Sequence, residues 1–423
     1  MTRTGLQRSA LLVAATAGTA FGQFSFSGPT NYNTPQRPDG VAIGDWDGVN
    51  GNDLAVATDN QDKISILTNT GSGTFTGPVD IFTGSNTGPG FIAAADFVGG
   101  PEVDLAVALQ NSNSVMVLQG NGAGGFASVG TFAVGSNPRF IVARDFDGSG
   151  SMDMAVVNRD GNSVTVLMNT GGSFAASTVA VGDEPRAVAS GEFTGDGNLD
   201  LVVTNHRDRN ISILAGNGAG GFAPAGTLLV NQATRPEGII AGDLDGDGDD
   251  DVATATGDPD FVSVFLNNGG LGARIDYPSG GVGVGDLAAG DLDGDGDLDL
   301  VAVNEDSANM SVMANNGAGG FGAAQILTLG ANPSHVAIGD LGGSSAMDIV
   351  ATSRDSNFTT VYLNNAADNC TADFNGDGSV NTNDVLAFLN AWTARDPSAD
   401  INGDGVVNTS DVLAFLNLWN AGC

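Results

Sequence analysis

The chain repeats one pattern of apolar and polar residues through most of its length. An apolar run ends at an acidic residue, a Gly-rich turn follows, and a second acidic residue eight positions later opens another apolar run. A regular spacing of this length indicates repeated structural units that pack on one another. The seven copies begin at Asp45, Asp96, Asp145, Glu192, Asp243, Asp291 and Asp340, with spacings of 51, 49, 47, 51, 48 and 49 residues.

Each copy contains four short segments with strand character. The segment after the turn, such as DLAVA, is continuously apolar, which is typical of a strand buried on both faces. An alternating segment such as SVMVLQG then runs into an Asn-Gly turn, and a segment such as FASVGTFAVG follows it. Four strands per copy and seven copies predict an all-β, seven-bladed β-propeller over residues 23–365.

The two ends of this region complement each other. The seventh copy stops after its third strand, TTVYLNN, near Asn365, whereas FSFSGPTNYNTPQRP from Phe24 onward aligns with the fourth strand of the second copy. We predict that residues 24–34 supply the missing strand of the last blade. This pairing would close the ring and cover a sheet edge that otherwise invites aggregation.

Helical periodicity replaces the strand pattern after Ala366. VLAFLNAW and VLAFLNLW carry apolar residues at i, i+3, i+4 and i+7, and each follows a twelve-residue loop of EF-hand type. The loops place oxygen ligands at positions 1, 3, 5, 7, 9 and 12 and glycine at position 6, so they predict two calcium sites. The predicted ligands are Asp373, Asn375, Asp377, Ser379, Asn381 and Asp384 in one loop, and Asp400, Asn402, Asp404, Val406, Asn408 and Asp411 in the other.

The net charge of −35, from 49 Asp+Glu against 14 Lys+Arg, fits the same chemistry. More than half of the acidic residues lie in the propeller turns and the two loops. The acidic excess argues against nucleic acid and anionic membranes as partners, since both require basic surfaces. No segment approaches the ~20 apolar residues that a spanning helix needs, so we expect no membrane insertion.

The turn DLDGDGDLD carries carboxylates at positions 1, 3, 5 and 9 and a carbonyl at position 7, and Ca²⁺ takes six to eight oxygen ligands. We predict two strong structural calcium sites and up to three weaker ones, and we expect the turns at Asp96 and Asp340 to be metal-free. A hydrated Asp-Gly turn is the alternative for every copy. The strong-site ligands are Asp243, Asp245, Asp247, Asp251, Asp291, Asp293, Asp295 and Asp299, and the weaker-site ligands are Asp145, Asp147, Asp153, Glu192, Asp196, Asp200, Asp45, Asp47 and Asp53.

The repeat resembles the FG-GAP/VCBS family, the bacterial relatives of the integrin-α propeller. The two loop-helix units over residues 366–423, 27 residues apart, resemble a dockerin domain, and the terminal Gly422-Cys423 resembles its GC-type form. This resemblance implies calcium binding and docking to a cohesin-type module of another protein. Position 12 is Asp where EF-hands usually have Glu. Thr382-Asn383 and Thr409-Ser410 occupy the region that, in dockerins, tunes partner choice. A calcium-stabilised helix pair that binds no partner is the alternative.

Residues 1–22 have the features of a signal peptide. Arg3 and Arg8 precede the apolar stretch 10–17, and Ala20-Phe21-Gly22 offers small residues for cleavage. We therefore expect a secreted protein that is extracellular or associated with the cell surface. In an exported chain, Cys370 and Cys423 are expected to form one disulfide across the dockerin-like domain, with two free thiols as the alternative.

Most basic residues of the predicted propeller fall in loops on the face opposite the acidic turns. We hypothesise that this face binds an anionic or polyhydroxylated ligand, such as an acidic glycan or an acidic protein loop. The alternative is that the arginines pair with neighbours such as Asp160, Asp208 and Asp355 and brace the blades. The candidate ligand face contains Arg37, Arg139, Arg159, Arg186, Arg207, Arg209, Arg235 and Arg354.

The sequence contains no Ser/Cys–His signature, Walker loop or HExxH motif, and His206 and His335 are predicted to lie in loops. It therefore favours a non-enzymatic binding or adhesion scaffold that docks through its dockerin-like module. The alternative is an extracellular polysaccharide-degrading enzyme, a lyase or hydrolase, which an acid/base cluster on the arginine face would favour. A purely structural surface protein shares the same sequence features.

Overall fold

The structure is a computed structural model that describes residues 24–230, 234–342, 346–365, 374–375, 381–401 and 406–421. Several predictions of the sequence fall outside these ranges. They concern the signal peptide of residues 1–22, the cysteines Cys370 and Cys423, and the loop ligands Asp373, Asp377, Ser379, Asn402 and Asp404.

The described residues up to 365 form seven antiparallel sheets of four strands each. In chain order the strands are β1 Phe26–Asn33, β2 Pro38–Gly44, β3 Asp53–Thr58, β4 Lys63–Asn69, β5 Phe75–Phe82, β6 Pro89–Ala95, β7 Asp104–Leu109, β8 Ser114–Gly120, β9 Phe126–Ala133, β10 Pro138–Arg144, β11 Asp153–Asn158, β12 Ser163–Asn169, β13 Phe174–Ala180, β14 Pro185–Gly191, β15 Asp200–Asn205, β16 Asn210–Gly216, β17 Phe222–Leu229, β18 Arg235–Gly242, β19 Asp251–Gly257, β20 Phe261–Phe265, β21 Ile275–Pro278, β22 Val284–Gly290, β23 Asp299–Asn304, β24 Asn309–Met313, β25 Gln325–Thr328, β26 Pro333–Gly339, β27 Asp348–Ser353 and β28 Phe358–Asn364.

The sheets are the blades of a closed propeller. Strands β2–β5 form blade 1, each following group of four strands forms the next blade, and β26–β28 together with β1 form blade 7. The first strands of the blades, β2, β6, β10, β14, β18, β22 and β26, contact one another in succession, and β26 also contacts β2. These seven inner strands surround the central channel, and the predicted seven-bladed fold is confirmed.

The N-terminal strand belongs to the last blade. Strand β1 pairs antiparallel with β28, with Phe26 opposite Asn364 and Asn33 opposite Phe358. Beyond the strand, Asn365 N donates a hydrogen bond to the Ser25 carbonyl. Blade 7 is therefore assembled from the two ends of the propeller region.

The continuous apolar runs form the second strand of each blade, and they are buried along their whole length. In β3, β7, β11, β15, β23 and β27 every residue is buried, because each of these strands lies between two other strands and two other blades. The outer strands, such as β5 and β9, are exposed along most of their length. Burial is therefore greatest in the second strand of each blade and lowest in the outermost strand.

The C-terminal region contains two helices, α1 (Thr382–Ala394) and α2 (Thr409–Ala421). Phe388 and Phe415 are fully buried and stack with ring centroids 4.2 Å apart. Trp392 Nε1 donates to the Asn408 carbonyl, and Trp419 Nε1 donates to the Asn381 carbonyl, so each helix holds the loop that precedes the other. Neither of these described helices is long and apolar enough to cross a membrane.

Candidate functional site

The acidic turns bend at two glycines that require a left-handed backbone. In the blade 6 turn, Gly294 and Gly296 have φ of +79° and +94°. Their N–H groups donate to the two carboxylate oxygens of Asp291, over 2.7 and 3.0 Å. The glycines therefore wrap the turn around its first carboxylate, and the carboxylates of Asp293 and Asp295 lie close to it.

Four turns gather three carboxylates whose oxygens lie within 4.8 Å of one another. This spacing suits a hard divalent cation, which would bind oxygens from all three. In the blade 5 turn, Asp245 Oδ1 is buried and accepts no hydrogen bond from the described residues, which leaves it available to a cation. The four groups are Asp45, Asp47 and Asp53; Asp145, Asp147 and Asp153; Asp243, Asp245 and Asp251; and Asp291, Asp293 and Asp295.

Electrostatics in the blade 5 and blade 6 turns also favour a bound cation. Burial and then the neighbouring carboxylates raise the pKa of Asp299 to about 7, and they raise the pKa values of Asp251 and Asp293 to about 6. Carboxylates whose pKa values are raised by burial and by one another are ones that a divalent cation would stabilise in the ionised form. The residues present therefore fit calcium, with Asp247 and Asp299 outside the tightest groups.

The aspartate at position 9 has a structural role that the sequence analysis missed. In every blade it is at most 2% exposed, and it accepts hydrogen bonds from the backbone N–H of the second turn residue and of the residue 16 positions downstream. These residues are Asp53, Asp104, Asp153, Asp200, Asp251, Asp299 and Asp348. The sequence signal for this structural role was that the aspartate is also present in the Asp96 and Asp340 copies, which lack the ligands at positions 3 and 5 of the turn.

Five blades carry an asparagine at that downstream position, and its amide joins neighbouring blades. In blade 6, for example, Asn315 Nδ2 donates to the carbonyl of Leu244 in the blade 5 turn, 2.8 Å away. The equivalent residues are Asn69, Asn169, Asn267, Asn315 and Asn364. Each position-9 aspartate therefore fixes the backbone of a residue that, in these blades, contacts the preceding turn.

The blade 4 turn differs from the other candidate sites. Glu192 Oε1 accepts hydrogen bonds from the backbone N–H groups of Thr194, Gly195 and Asp196. Its longer side chain folds back over its own turn, and among the described residues Glu192, Asp196 and Asp200 form no group as close as the four above. The weaker site predicted here has less support than those at Asp45 and Asp145.

The two C-terminal loops place their last ligand inside the helix start. Asp384 and Asp411 are fully buried, and each accepts a 2.7 Å hydrogen bond from the backbone N–H of the position-9 asparagine, Asn381 or Asn408. An aspartate at position 12 thus caps its helix as well as facing the loop. The other described loop ligands are Asn375, Asp400 and Val406.

The arginines of the candidate ligand face lie at the end of the blades opposite the acidic turns. In blade 3, Pro138 pairs with Asn158 at one end of the sheet and Arg144 pairs with Asp153 at the other. Loops that enter the first strand or leave the second therefore share one face. Arg139, Arg186 and Arg354 reach the mouth of the central channel on this face, whereas Arg37 is exposed outside it.

Several of these arginines form ion pairs, although not with the carboxylates we expected. Glu184 accepts hydrogen bonds from Arg159 and Arg186, and it also lies 3.2 Å from Arg207. Arg354 pairs with Asp39 across blades 7 and 1. The expected partners instead accept hydrogen bonds that hold the loops, Asp160 from Asn137, Asp208 from the Asp183 backbone and Asp355 from Asn332.

Glu184 should contribute to stability in a pH-dependent way. Its arginine partners outweigh the effect of burial and lower its pKa to about 2, below the ordinary 4.5. A carboxyl group whose pKa is lowered on folding stabilises the fold at pH values above its unfolded-state pKa. This stabilisation is lost as the pH falls from about 4.5 to about 2. We expect Glu184→Gln to lose about 2 kcal/mol at pH 7 and to match the native protein near pH 2, as measured by urea unfolding. Asp183→Asn, which removes a more exposed carboxylate next to it, is the control, and an equal loss there would contradict this role.

The channel mouth is built from equivalent positions of all seven inner strands. Its cavity of about 230 Å³ is lined by Asp39, Gly40, Phe91, Arg139, Phe140, Arg186, Ala187, Glu237, Gly238, Gly285, Asp286, Ser334 and His335 of those strands, with Glu305 and Arg354 from adjacent loops. Sequence reasoning recognised three of the arginines but not the rest. The sequence signal for these lining residues was their position, because they are the two residues after the proline with which most inner strands begin.

His335 lies in β26 at this mouth, not in a loop between blades as expected. Its Nδ1 pairs with the Asp286 carboxylate, and its ring packs edge-on against Phe91 with centroids 4.9 Å apart. Burial opposes the charged form of His335, but Asp286 outweighs it and raises the pKa of the imidazole. His206, in the loop after β15, lies 2.9 Å from Glu237 through Nε2. Two histidine–carboxylate pairs therefore lie on the arginine face, one at the channel mouth and one in the loop beside it.

Comparisons with known proteins agree with this architecture. The model of the FG-GAP-like repeat matches residues 145–203, 192–254, 243–302 and 291–351, and the model of the dockerin type I domain matches residues 371–418. The comparison with curated proteins gave no match.

Solved structures with the same fold are distant in sequence. Virginiamycin B lyase from Staphylococcus aureus has a TM-score of 0.57 at 12% identity, covering 81% of this chain and all of that one. A lectin from Agrocybe aegerita that recognises non-reducing terminal N-acetylglucosamine has a TM-score of 0.51 at 21% identity, covering 76% and 87%. A protein from Lactobacillus plantarum has a TM-score of 0.52 at 17% identity, covering 70% and 86%. At these identities the likeness shows the fold alone. The chain thus combines a seven-bladed propeller containing FG-GAP-like repeats with a dockerin type I domain.

Proposed function

We propose that this protein is a secreted, calcium-dependent scaffold whose propeller binds a ligand and whose dockerin domain attaches it to a cohesin-bearing partner. The observation that carries the proposal is the dockerin type I match over residues 371–418, together with the internally symmetric helix pair. Calcium has a structural role in both parts. It would bind the four carboxylate groups of the propeller turns and the two C-terminal loops.

The helices present equivalent exposed faces for docking. Leu386 and Leu413 are 61% and 63% exposed and occupy the same position in α1 and α2. Thr382 and Thr409, one helical turn earlier, are also exposed. Leucines exposed to this extent beside polar residues suit a partner that covers them. The duplication supplies two such faces, either of which could receive one cohesin module.

Removing both exposed leucines should therefore abolish docking without unfolding the domain. We expect Leu386→Ala with Leu413→Ala to weaken binding at least a hundredfold, because buried apolar anchors dominate interface energetics, whereas each single variant retains one intact face. The measurement is calorimetric titration of the full chain with purified type I cohesin modules, with calcium and with EGTA. The control is Leu229→Ala, a similarly exposed leucine on the propeller. Calcium-independent binding, or full binding by the double variant, would contradict the proposal.

A second candidate function is supported by the channel mouth. His335 and Asp286 form a buried pair beside Glu305, and burial raises the pKa of that carboxyl group. Such an arrangement could serve acid/base chemistry in a polysaccharide lyase or hydrolase. The test is the release of new reducing ends or unsaturated products from acidic and neutral polysaccharides, with His335→Gln as the inactive control. If no product is released from any of these polysaccharides, the enzymatic function is contradicted and only the binding function stands.

A further inference from the structure

Two charged side chains of opposite sign remain without an ion-pair partner at the channel mouth, within the described part of the chain. Arg139 donates one hydrogen bond, to Gln110 Oε1 at 3.3 Å, and no carboxylate lies within 4.0 Å of it. The Glu305 carboxylate has neither a hydrogen bond nor an ion pair among the described residues, although the backbone N–H of Glu305 donates to the Gly283 carbonyl. The other charged groups of the mouth are paired, Arg354 with Asp39, His335 with Asp286, and Arg186 and His206 with Glu237.

The surroundings of Arg139 suit the carboxylate of a small ligand. A guanidinium has five N–H donors in a planar fork that matches a carboxylate, and four remain available here. Phe91 and Phe140, with ring centroids 3.9 Å apart, form one wall of the cavity and restrict water around the cation. The cavity volume of about 230 Å³ is below the ~300–1,000 Å³ of pockets for drug-sized ligands, so it holds one compact group.

A second cavity of about 460 Å³ adjoins the mouth, because Glu237, Gly285 and Glu305 line both. Its charged lining contains one arginine and five carboxyl groups, namely Arg235, Glu237, Asp258, Asp260, Glu305 and Asp306. Such a groove accepts hydrogen bonds from hydroxyl groups and repels anions. A ligand that extends from the mouth into this groove must therefore be neutral beyond its first unit.

We propose that the channel mouth binds a carboxylated terminal sugar of an otherwise neutral glycan, with the carboxylate on Arg139, a hydroxyl on Glu305 and the next sugars along the acidic groove. This assignment rests on the proposed ligand-binding role of the propeller and specifies its ligand class. It distinguishes a glycan with a single acidic end from a polyuronate, whose second carboxylate would face the carboxyl groups of the groove.

The experiment is calorimetric titration of the full chain in calcium with four probes. These are an aldobiouronic acid that carries glucuronate only as its terminal sugar, digalacturonate, cellobiose and inorganic phosphate. We expect the aldobiouronic acid to bind at least tenfold more tightly than each of the others. Arg139→Gln should weaken its binding at least tenfold, as loss of a charge-assisted contact does. Arg144→Gln, which makes the same charge change at the other end of strand β10, should bind like the native protein.

Glu305→Gln provides an independent test that does not depend on how Arg139→Gln folds. Removing this groove carboxylate should reduce the difference in affinity between digalacturonate and the aldobiouronic acid. The proposal is overturned if cellobiose or phosphate binds as tightly as the aldobiouronic acid, if Arg139→Gln binds normally, or if Glu305→Gln leaves that difference unchanged. Cohesin binding by the same samples separates this failure from failure of the docking function, since the variants lie far from the dockerin domain in sequence.

Discussion

Replacing Asp104 by alanine should destabilise the propeller by about 3–6 kcal/mol, whether or not calcium is present. Asp104 is 2% exposed and accepts hydrogen bonds of 2.9 Å from the backbone N–H groups of Phe97, Val98 and Gly120. Each buried N–H left without an acceptor costs about 1–3 kcal/mol. The effect should appear as an earlier unfolding transition in urea, with equal shifts in calcium and in EGTA.

The matched control is Asp96→Ala in the same turn. Asp96 is exposed and accepts a hydrogen bond only from Gly99 among the described backbone groups, so its removal should cost less than about 1 kcal/mol. If both variants lost the same stability, or if Asp104→Ala mattered only in calcium, the position-9 aspartate would be a metal ligand and not a structural hydrogen-bond acceptor. The comparison isolates backbone support from ion binding, because this turn lacks the intermediate carboxylates.

Calcium should stabilise the propeller by about 5 kcal/mol through the blade 5 and blade 6 turns together. A site at a hundredfold excess of ligand over Kd gains about 2.7 kcal/mol, and two independent sites add. The double variant Asp245→Asn with Asp293→Asn should lose most of this gain. In EGTA it should be at least as stable as the native protein, because it removes like charges that repel one another. The measurement is thermal unfolding in calcium and in EGTA.

The calcium-free protein should also become less stable as the pH rises. The pKa of Asp299 is about 7 and those of Asp251 and Asp293 are about 6, above the ordinary 3.8, so folding takes up protons between about pH 4 and pH 7. The contribution of these protonated carboxyl groups to stability is complete below pH 4 and is lost as the pH rises through 7. We therefore expect the melting temperature in EGTA to fall from pH 5 to pH 8 and the calcium-induced increase to grow. Parallel pH profiles with and without calcium would contradict these sites.

The repeat made the blades predictable because the same hydrophobic pattern recurs seven times in register. A pattern is evidence for a fold when every copy agrees, and the inner and second strands agree closely here. The helix pair was equally predictable from the sequence, since the loops ending at Asp384 and Asp411 and the helices after them are nearly identical. What these positions share is that their partners are near in sequence or repeat at a fixed distance.

The channel mouth could not be predicted in the same way. Phe91, Glu305 and His335 lie in different blades and come together only because the ring closes. Copies at equivalent positions also differ in residue type, as Asp39, Arg139 and Ser334 illustrate, so no motif marks them. Five of the seven position-9 aspartates were assigned only as ligands, and those of the Asp96 and Asp340 turns were given no role. Carboxylate spacing alone does not reveal that both oxygens of these aspartates already accept backbone hydrogen bonds.

The pairing of β1 with β28 has a consequence for how the chain folds. The two strands are more than 300 residues apart in sequence, so the first strand must wait for the last before blade 7 can form. Contacts of such separation carry a large loop-closure entropy and form late. A nascent or truncated chain that ends before Phe358 would lack the strand of blade 7 that pairs with β1, so its ring would stay open. Closure therefore requires the complete propeller region, and we expect a protease-resistant core only after β1 has paired with β28.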